Sequence, residues 1–255
     1  RPTRTFISIL AVALGIVLML VIGGIVSCTL NDYLGRTVAV GADFILQPAG
    51  SSVLYAFSDA SLNSKLAGTM QQVSGIESVT PVLSKFSPAH FGLVFGIDLD
   101  SYNKFPGRLQ MVSGRASLKG DEAIIDQILA EAKKLKPGMT MNILDHDFTI
   151  TGICRSGAVV RVFLPLETLQ KLLGTTDRVT VLFAKATPNV PVEEVYQNLR
   201  KQFPHYSLMR ASDPNLLLAE TRLPGLKEFR ITVIVISMLL SFMVILLAMY
   251  TTIFE

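Results

Sequence analysis

The residues to question first in this 255-residue sequence are its three histidines and its acidic turns. Asp145-His146-Asp147 brings two carboxylates and an imidazole together within three positions, donors that metals use. Consecutive residues of an extended chain point to opposite faces, and acidic residues are ordinary in tight turns. The triplet therefore reads as a turn. His90, His146 and His205 are remote from one another in sequence. There is no H-E-x-x-H and no Cys/His cluster at metal spacing. The sequence lacks G-x-x-x-x-G-K-[ST], so it cannot hold ATP in a P-loop, and it lacks the G-x-S-x-G of a nucleophile elbow. This reading assigns no catalytic, no cofactor-binding and no metal-ligating residues, and it does not describe an enzyme.

Two cysteines, Cys28 and Cys154, do not make a disulfide framework and read as small apolar residues with free thiols. Ile25-Val26-Ser27-Cys28 has the look of a lipoprotein processing box. The apolar stretch before it exceeds the ~7–15 residues of a signal core, so lipidation of Cys28 is the lesser reading.

The elements around these residues are more telling. Residues 6–30 (FISILAVALGIVLMLVIGGIVSCTL) and 231–254 (ITVIVISMLLSFMVILLAMYTTIF) carry no charge. Each is long enough to cross a hydrocarbon core of ~30 Å as a helix rising ~1.5 Å per residue. A helix of a soluble core rarely stays uncharged over such a length, because one face meets water. Two transmembrane helices are expected, bracketing about 200 residues of ordinary composition. Arg1 and Arg4 precede the first run and place the N-terminus in the cytoplasm by the positive-inside rule, so the middle is extracytoplasmic. Residues 31–229 hold 20 of the 23 Lys+Arg (less Arg1, Arg4 and Arg230) and 19 of the 20 Asp+Glu (less Glu255). That near-neutral balance, with no concentrated basic face, argues against nucleic acid as a partner. The missing initiator Met and the stop at the end of an apolar run suggest part of a longer membrane protein.

Small residues recur in the first run at Ala11, Gly15, Gly23, Gly24 and Ser27, spaced for close helix contact in lipid. Residues 43–48 read as a strand. Leu62, Leu66, Met70 and Val73 form the stripe of an amphipathic helix ended by Gly75, and residues 76–83 form a second strand. A second β-α-β unit follows from a strand at 178–184, a helix starting at Pro191 and stopping before Pro204, and a strand at 205–209. Two such units split by an insertion suggest a ferredoxin-like βαββαβ fold. The insertion should hold a strand at 91–97 and a helix facing inward through Ile124, Ile125, Ile128, Leu129, Ala132 and Leu135. A hairpin of 139–144 with 148–154 around Asp145-His146-Asp147 and a strand at 160–164 complete it. The fold class is thus an α+β membrane protein. Its segments are 1–30 (cytoplasmic end and first span), 31–87 (first half of the βαββαβ lobe), 88–176 (inserted α+β lobe), 177–211 (second half), 212–230 (connecting helix) and 231–255 (second span).

The order of several stretches resembles the permease subunits of the MacB-like and FtsX-like ABC transporter superfamily. They are RPTRTFISILAVALG (1–15), GADFILQPAG (41–50), VSGR (112–115), LKPGMTMNILDHDFTITGI (135–153), VFLPL (162–166) and YTTIFE (250–255). The resemblance implies a four-span permease of a bacterial cytoplasmic membrane, with a porter-like βαββαβ lobe and an inserted lobe outside. It implies a second permease copy, as homo- or heterodimer, and a cytoplasmic ABC ATPase that binds the ATP, leaving no cofactor in this chain. An extracytoplasmic adaptor or hydrolase and membrane lipid are the other partners. The ATPase would drive export, such as efflux, or extraction of a substrate by moving the spans and, with them, the outer domain. The residues to bet on are then mechanical: Gly15, Gly23 and Gly24 on the small-residue face, and a lever from Asp213 through Pro224 into Ile231. The rival expectation is a membrane-tethered scaffold, or FtsX-like regulator, that binds and activates an extracytoplasmic partner without transport.

Overall fold

The computed structural model describes residues 40–49, 51, 61–87, 89, 92–155 and 160–212, with isolated positions in the apolar runs. The chain divides into two compact units, Tyr33–Leu216 and Arg1–Asp32 with Leu217–Glu255. In the latter unit the described positions are helical and exposed, and all but Thr232 are apolar, among them Val17, Ile231, Ile236, Leu239 and Phe242. Among the described residues no helix is long and apolar enough to cross a membrane. The expected spans lie almost wholly outside the described residues.

The larger unit is built on one ten-stranded sheet. Its first β-α-β unit is β1 (Phe44–Pro48), α1 (Leu66–Gln71) and β3 (Ile76–Ser87), with the two-residue strand β2 (Leu62–Asn63) before α1. Its second is β11 (Val181–Ala186), α5 (Val192–Gln202) and β12 (Tyr206–Arg210), preceded by β10 (Arg178–Val179). The four long strands lie in the order β12-β1-β11-β3 with every neighbour antiparallel, the ferredoxin-like arrangement. Both helices cover one face. Met70 of α1 and Val195 and Leu199 of α5 are buried on Phe44, Leu46, Leu182 and Ala184, the alternate residues of β1 and β11.

The insertion continues the same sheet through β4 (Gly92–Ile97), β9 (Val160–Pro165), β6 (Glu122–Asp126), β8 (His146–Cys154) and β5 (Met111–Gly114), with β7 (Thr140–Ile143) also on β8. The short helices α2 (Leu99–Tyr102), α3 (Gln127–Lys133) and α4 (Leu166–Leu172) connect them. One core packs α3 and α4 onto Ile125, Phe148, Ile150 and Leu164. On the opposite face a single core runs under both halves of the sheet and joins Ile45 and Phe183 to Phe95, Phe163 and Tyr102. Tyr102 and Phe95 each meet Phe163 edge-on, with ring centroids 6.0 and 6.2 Å apart.

Three local readings are corrected. Leu62 is a strand residue paired with Val179, not the first turn of α1; Asn63 Oδ1 accepts from Lys65 N–H at 2.9 Å and turns the chain before the helix begins. Ile124 and Ile125 belong to β6, not to the helix. They are buried on opposite faces of the sheet, and Asp126 starts α3 by accepting from Leu129 N–H at 2.8 Å. The hairpin turn is Leu144-Asp145, both at positive φ, so His146 and Asp147 are already in β8.

Candidate force-transmitting site

The first strand of the domain and its last are neighbours. Phe44 at the start of β1 pairs with Arg210 at the end of β12. The chain therefore enters and leaves the sheet on neighbouring strands, and one residue ties the pair to the sheet. Asp43 N–H donates to Ala184 O at 2.9 Å, and Asp43 O accepts from Ala211 N–H at 2.9 Å. Its carboxylate accepts from Ala186 N–H at 2.8 Å and from Lys185 Nζ at 2.9 Å. Asp43 thus holds the incoming strand, the outgoing strand and β11 at one point. The ion pair is about three-quarters buried on both sides, which screens it less than a surface pair.

Two further contacts fix this root. Gly41 has φ +77°, and a Cβ there would lie 2.9 Å from Pro106, so the chain before β1 packs directly on the loop after α2. Gly107 N–H donates to Val40 O at 3.1 Å across the same contact. On the other side Arg210 pairs with Glu193 and lays its guanidinium 4.8 Å from the Tyr196 ring centre, joining the end of β12 to α5.

The far lobe owes its shape to a second clasp. Gly114 and Gly152 face each other across β5 and β8. A Cβ on Gly114 would overlap Thr151 O and stand 2.8 Å from Gly152 Cα; one on Gly152 would stand 2.6 Å from Arg115 O. Beyond Gly114 the loop closes on Glu122, whose carboxylate accepts from Ser117 Oγ (2.5 Å), Lys119 N–H (3.0 Å) and Arg115 Nη2 (3.0 Å). These bonds, the Ser117 hydroxyl first, hold the Glu122 carboxyl below its ordinary range against the opposing effect of burial. The loop walls a cleft of about 730 Å³ with an apolar floor at Ile97, Pro165 and Leu166 and a rim of mixed charge.

At the opposite end of β6 and β9, Asp126 is buried and paired with Arg161. Cys154 has a free thiol, and burial, reinforced by the Asp126 charge, pushes it up to about 12. A thiol so protonated is no nucleophile. Iodoacetamide at pH 8 is expected to leave Cys154 unmodified in the folded protein and to alkylate it in denaturant, as read by mass spectrometry. Rapid labelling of the folded chain would contradict this burial.

His146 stands with Nε2 2.9 Å from Asp121 Oδ1, and its ring meets Phe148 at 5.0 Å, while Asp147 Oδ1 accepts from the Asn142 amide. Among the described residues no group of three or more His, Cys, Asp or Glu is arranged to hold a metal ion. His205 lies between α5 and β12, whereas His90 and Cys28 fall outside the described residues. Gly15, Gly23, Gly24 and the lever from Asp213 to Pro224 also lie outside them; Ile231 is helical and exposed. The residue that sequence reasoning missed is Asp43. Its only signal was an acidic residue directly ahead of an apolar strand, within the GAD of a matched stretch.

The MacB-like periplasmic core domain family matches residues 5–202. Among solved structures, the chain is similar to the periplasmic region of MacB from Actinobacillus actinomycetemcomitans, at 16% identity and a TM-score of 0.53, covering 67% of this chain and 89% of that one. It is also similar to the extracellular domain of the noncanonical ABC-type transporter YknZ from Gram-positive bacteria, at 15% identity and a TM-score of 0.49, covering 66% and 98%. A comparison with curated proteins gave no match. Identities this low speak to fold alone, but the family match spans most of the chain. The chain belongs to the MacB-like periplasmic core domain family of ABC transporter permeases.

Proposed function

We propose that this chain is a permease subunit that exports or extracts a substrate on the extracytoplasmic side by passing on the motions of an ATPase. The observation that carries the reading is the paired root of the domain, where β1 and β12 are neighbours and Asp43 binds both to β11. A displacement of either connecting segment acts on the same point of a hydrogen-bonded sheet. Backbone ladders and a close-packed core transmit such a displacement because they have little slack. The chain itself is non-catalytic. A cytoplasmic ABC ATPase supplies ATP hydrolysis, a second permease copy completes the membrane unit, and an extracytoplasmic adaptor or hydrolase meets the domain. In this proposal the segments around residues 6–30 and 231–254 are spans of a multi-pass protein, and 212–230 is the connecting helix.

Affinity purification of the full-length protein from its native membrane tests this. A nucleotide-binding ATPase is expected to co-purify. A functional complex free of any ATPase overturns the proposal. Deletion of the gene that leaves export intact while altering cell-wall hydrolysis points instead to the tethered scaffold.

A further inference from the structure

β3 belongs to two ladders. Ile76–Val82 pair with β11 along one edge, and Val82–Ser87 pair with β4 along the other. The two ladders overlap at Val82 alone, which faces Val181 on one side and Ile97 on the other. Pro81 occupies the last position before the β4 ladder begins, where a missing N–H leaves nothing unpaired. The two halves of the sheet therefore meet end to end on one strand.

Past Val82 the β11 edge is continued by a side chain. Thr180 N–H donates to Val82 O at 2.9 Å. The Thr180 hydroxyl accepts from Ser84 N–H at 3.0 Å and donates to Ser84 O at 3.4 Å. Beside it the Ser84 hydroxyl is buried and, among the described residues, has no hydrogen-bond partner, and the same holds for that of Ser78 on the same face. A buried hydroxyl left unpaired is costly and calls for an explanation. The cores add a direction. One face carries a single core under both halves; the other carries two separate cores, and Leu166 packs against each of them. A bend at Val82 would pivot on the continuous face and open the divided one.

We infer that β3 is a flexural joint at Val82–Ser84, latched in the described arrangement by the Thr180 hydroxyl, with a second, bent arrangement in which the Ser84 hydroxyl gains a partner. Two discrete arrangements of one packed element are what a switch needs, whatever the chain transports.

The test uses the full-length protein with spin labels placed through non-natural amino acids at Lys136 and Arg200, exposed positions on the two halves, so that both cysteines stay native. Thr180→Val keeps the shape and removes the latch. It is expected to widen the label-to-label distance distribution about twofold and to speed amide exchange at Ser84 about tenfold, while Thr180→Ser behaves as the parent. Ser84→Ala removes the group that favours bending and is expected to narrow the distribution. A Thr180→Val distribution as narrow as the parent's overturns the joint, even if Ser84 exchange rises, because the hydroxyl then acts only locally. If Thr180→Val does not fold, Ser84→Ala decides alone, and an unchanged width overturns the inference.

Discussion

Asp43→Ala is expected to lower stability by about 2–3 kcal/mol and, on the proposed function, to abolish export while the domain still folds. The substitution removes an acceptor from Ala186 N–H and a partner from Lys185 Nζ. Hydrogen bonds to charged groups contribute ~1.5–3 kcal/mol, and a donor left unsatisfied in a buried setting costs ~1–3 kcal/mol. For a unit of this size that corresponds to a fall of roughly 4–12 °C in melting temperature. The functional loss should exceed the loss of stability, because the backbone bonds of Asp43 to Ala184 and Ala211 then stand without the carboxylate that braces them against β11. Asp43→Asn separates the two effects. Its amide oxygen still accepts from Ala186 N–H but offers Lys185 no charge, so it should keep most stability and part of the transport. Thermal melting of purified protein, set beside substrate export by membranes carrying each variant, reads both quantities. An Asp43→Ala protein that exports at the parent rate would show that the root does not carry load.

Gly114→Ala should be the most damaging single methyl group in the domain, costing about 3–5 kcal/mol or preventing folding, at the upper end of point substitutions. Gly114 has φ +77°, which alone costs an L side chain ~1–2 kcal/mol. The added carbon would also overlap Thr151 O, and the neighbours at risk are backbone: Gly152 Cα at 2.8 Å cannot turn away as a flexible side chain does. Gly120→Ala is the matched control. Its φ is +58°, and a Cβ there would meet nothing within 4 Å, so only the backbone cost of ~1–2 kcal/mol applies. Chemical denaturation of the two variants compares them. Equal midpoints would mean that the contact between the end of β5 and β8 does not limit the fold.

Much of the sheet could be read from residue order because its signals are local. Short apolar runs mark β1, β3 and β11, the Val195–Leu199–Phe203 stripe marks α5, and Pro191 and Pro204 bracket it. β1, β3 and α5 occur where they were expected, to within a few residues, whereas the strand expected at 178–184 is two strands, Arg178–Val179 pairing with β2 and Val181–Ala186 entering the large sheet. The failures share a cause. Ile124 and Ile125 fit a helical stripe and a buried strand equally well, and only the side chain of Asp126, reaching Leu129 N–H, decides between them. Leu62 is taken from the helix by a partner 117 positions away, Val179. No pattern within β3 tells that it exchanges partners at Val82, because both neighbours are remote in sequence. Asp43 was invisible for the same reason: its partners lie at Lys185 and Ala186, on a strand reached only after the whole insertion. Period and punctuation reveal elements, whereas joints and clasps are made by pairs that sequence separates.

The pairing of Phe44 with Arg210 also bears on how such a chain is assembled from parts. Neighbouring strands run ~4.8 Å apart, so everything from residue 44 to residue 210 hangs from two backbone positions that nearly touch. A module whose two ends coincide can be grafted into a short connection without altering the spacing of whatever lies on either side. One unit can then be exchanged for another of different reach without changing the separation of the two ends it joins.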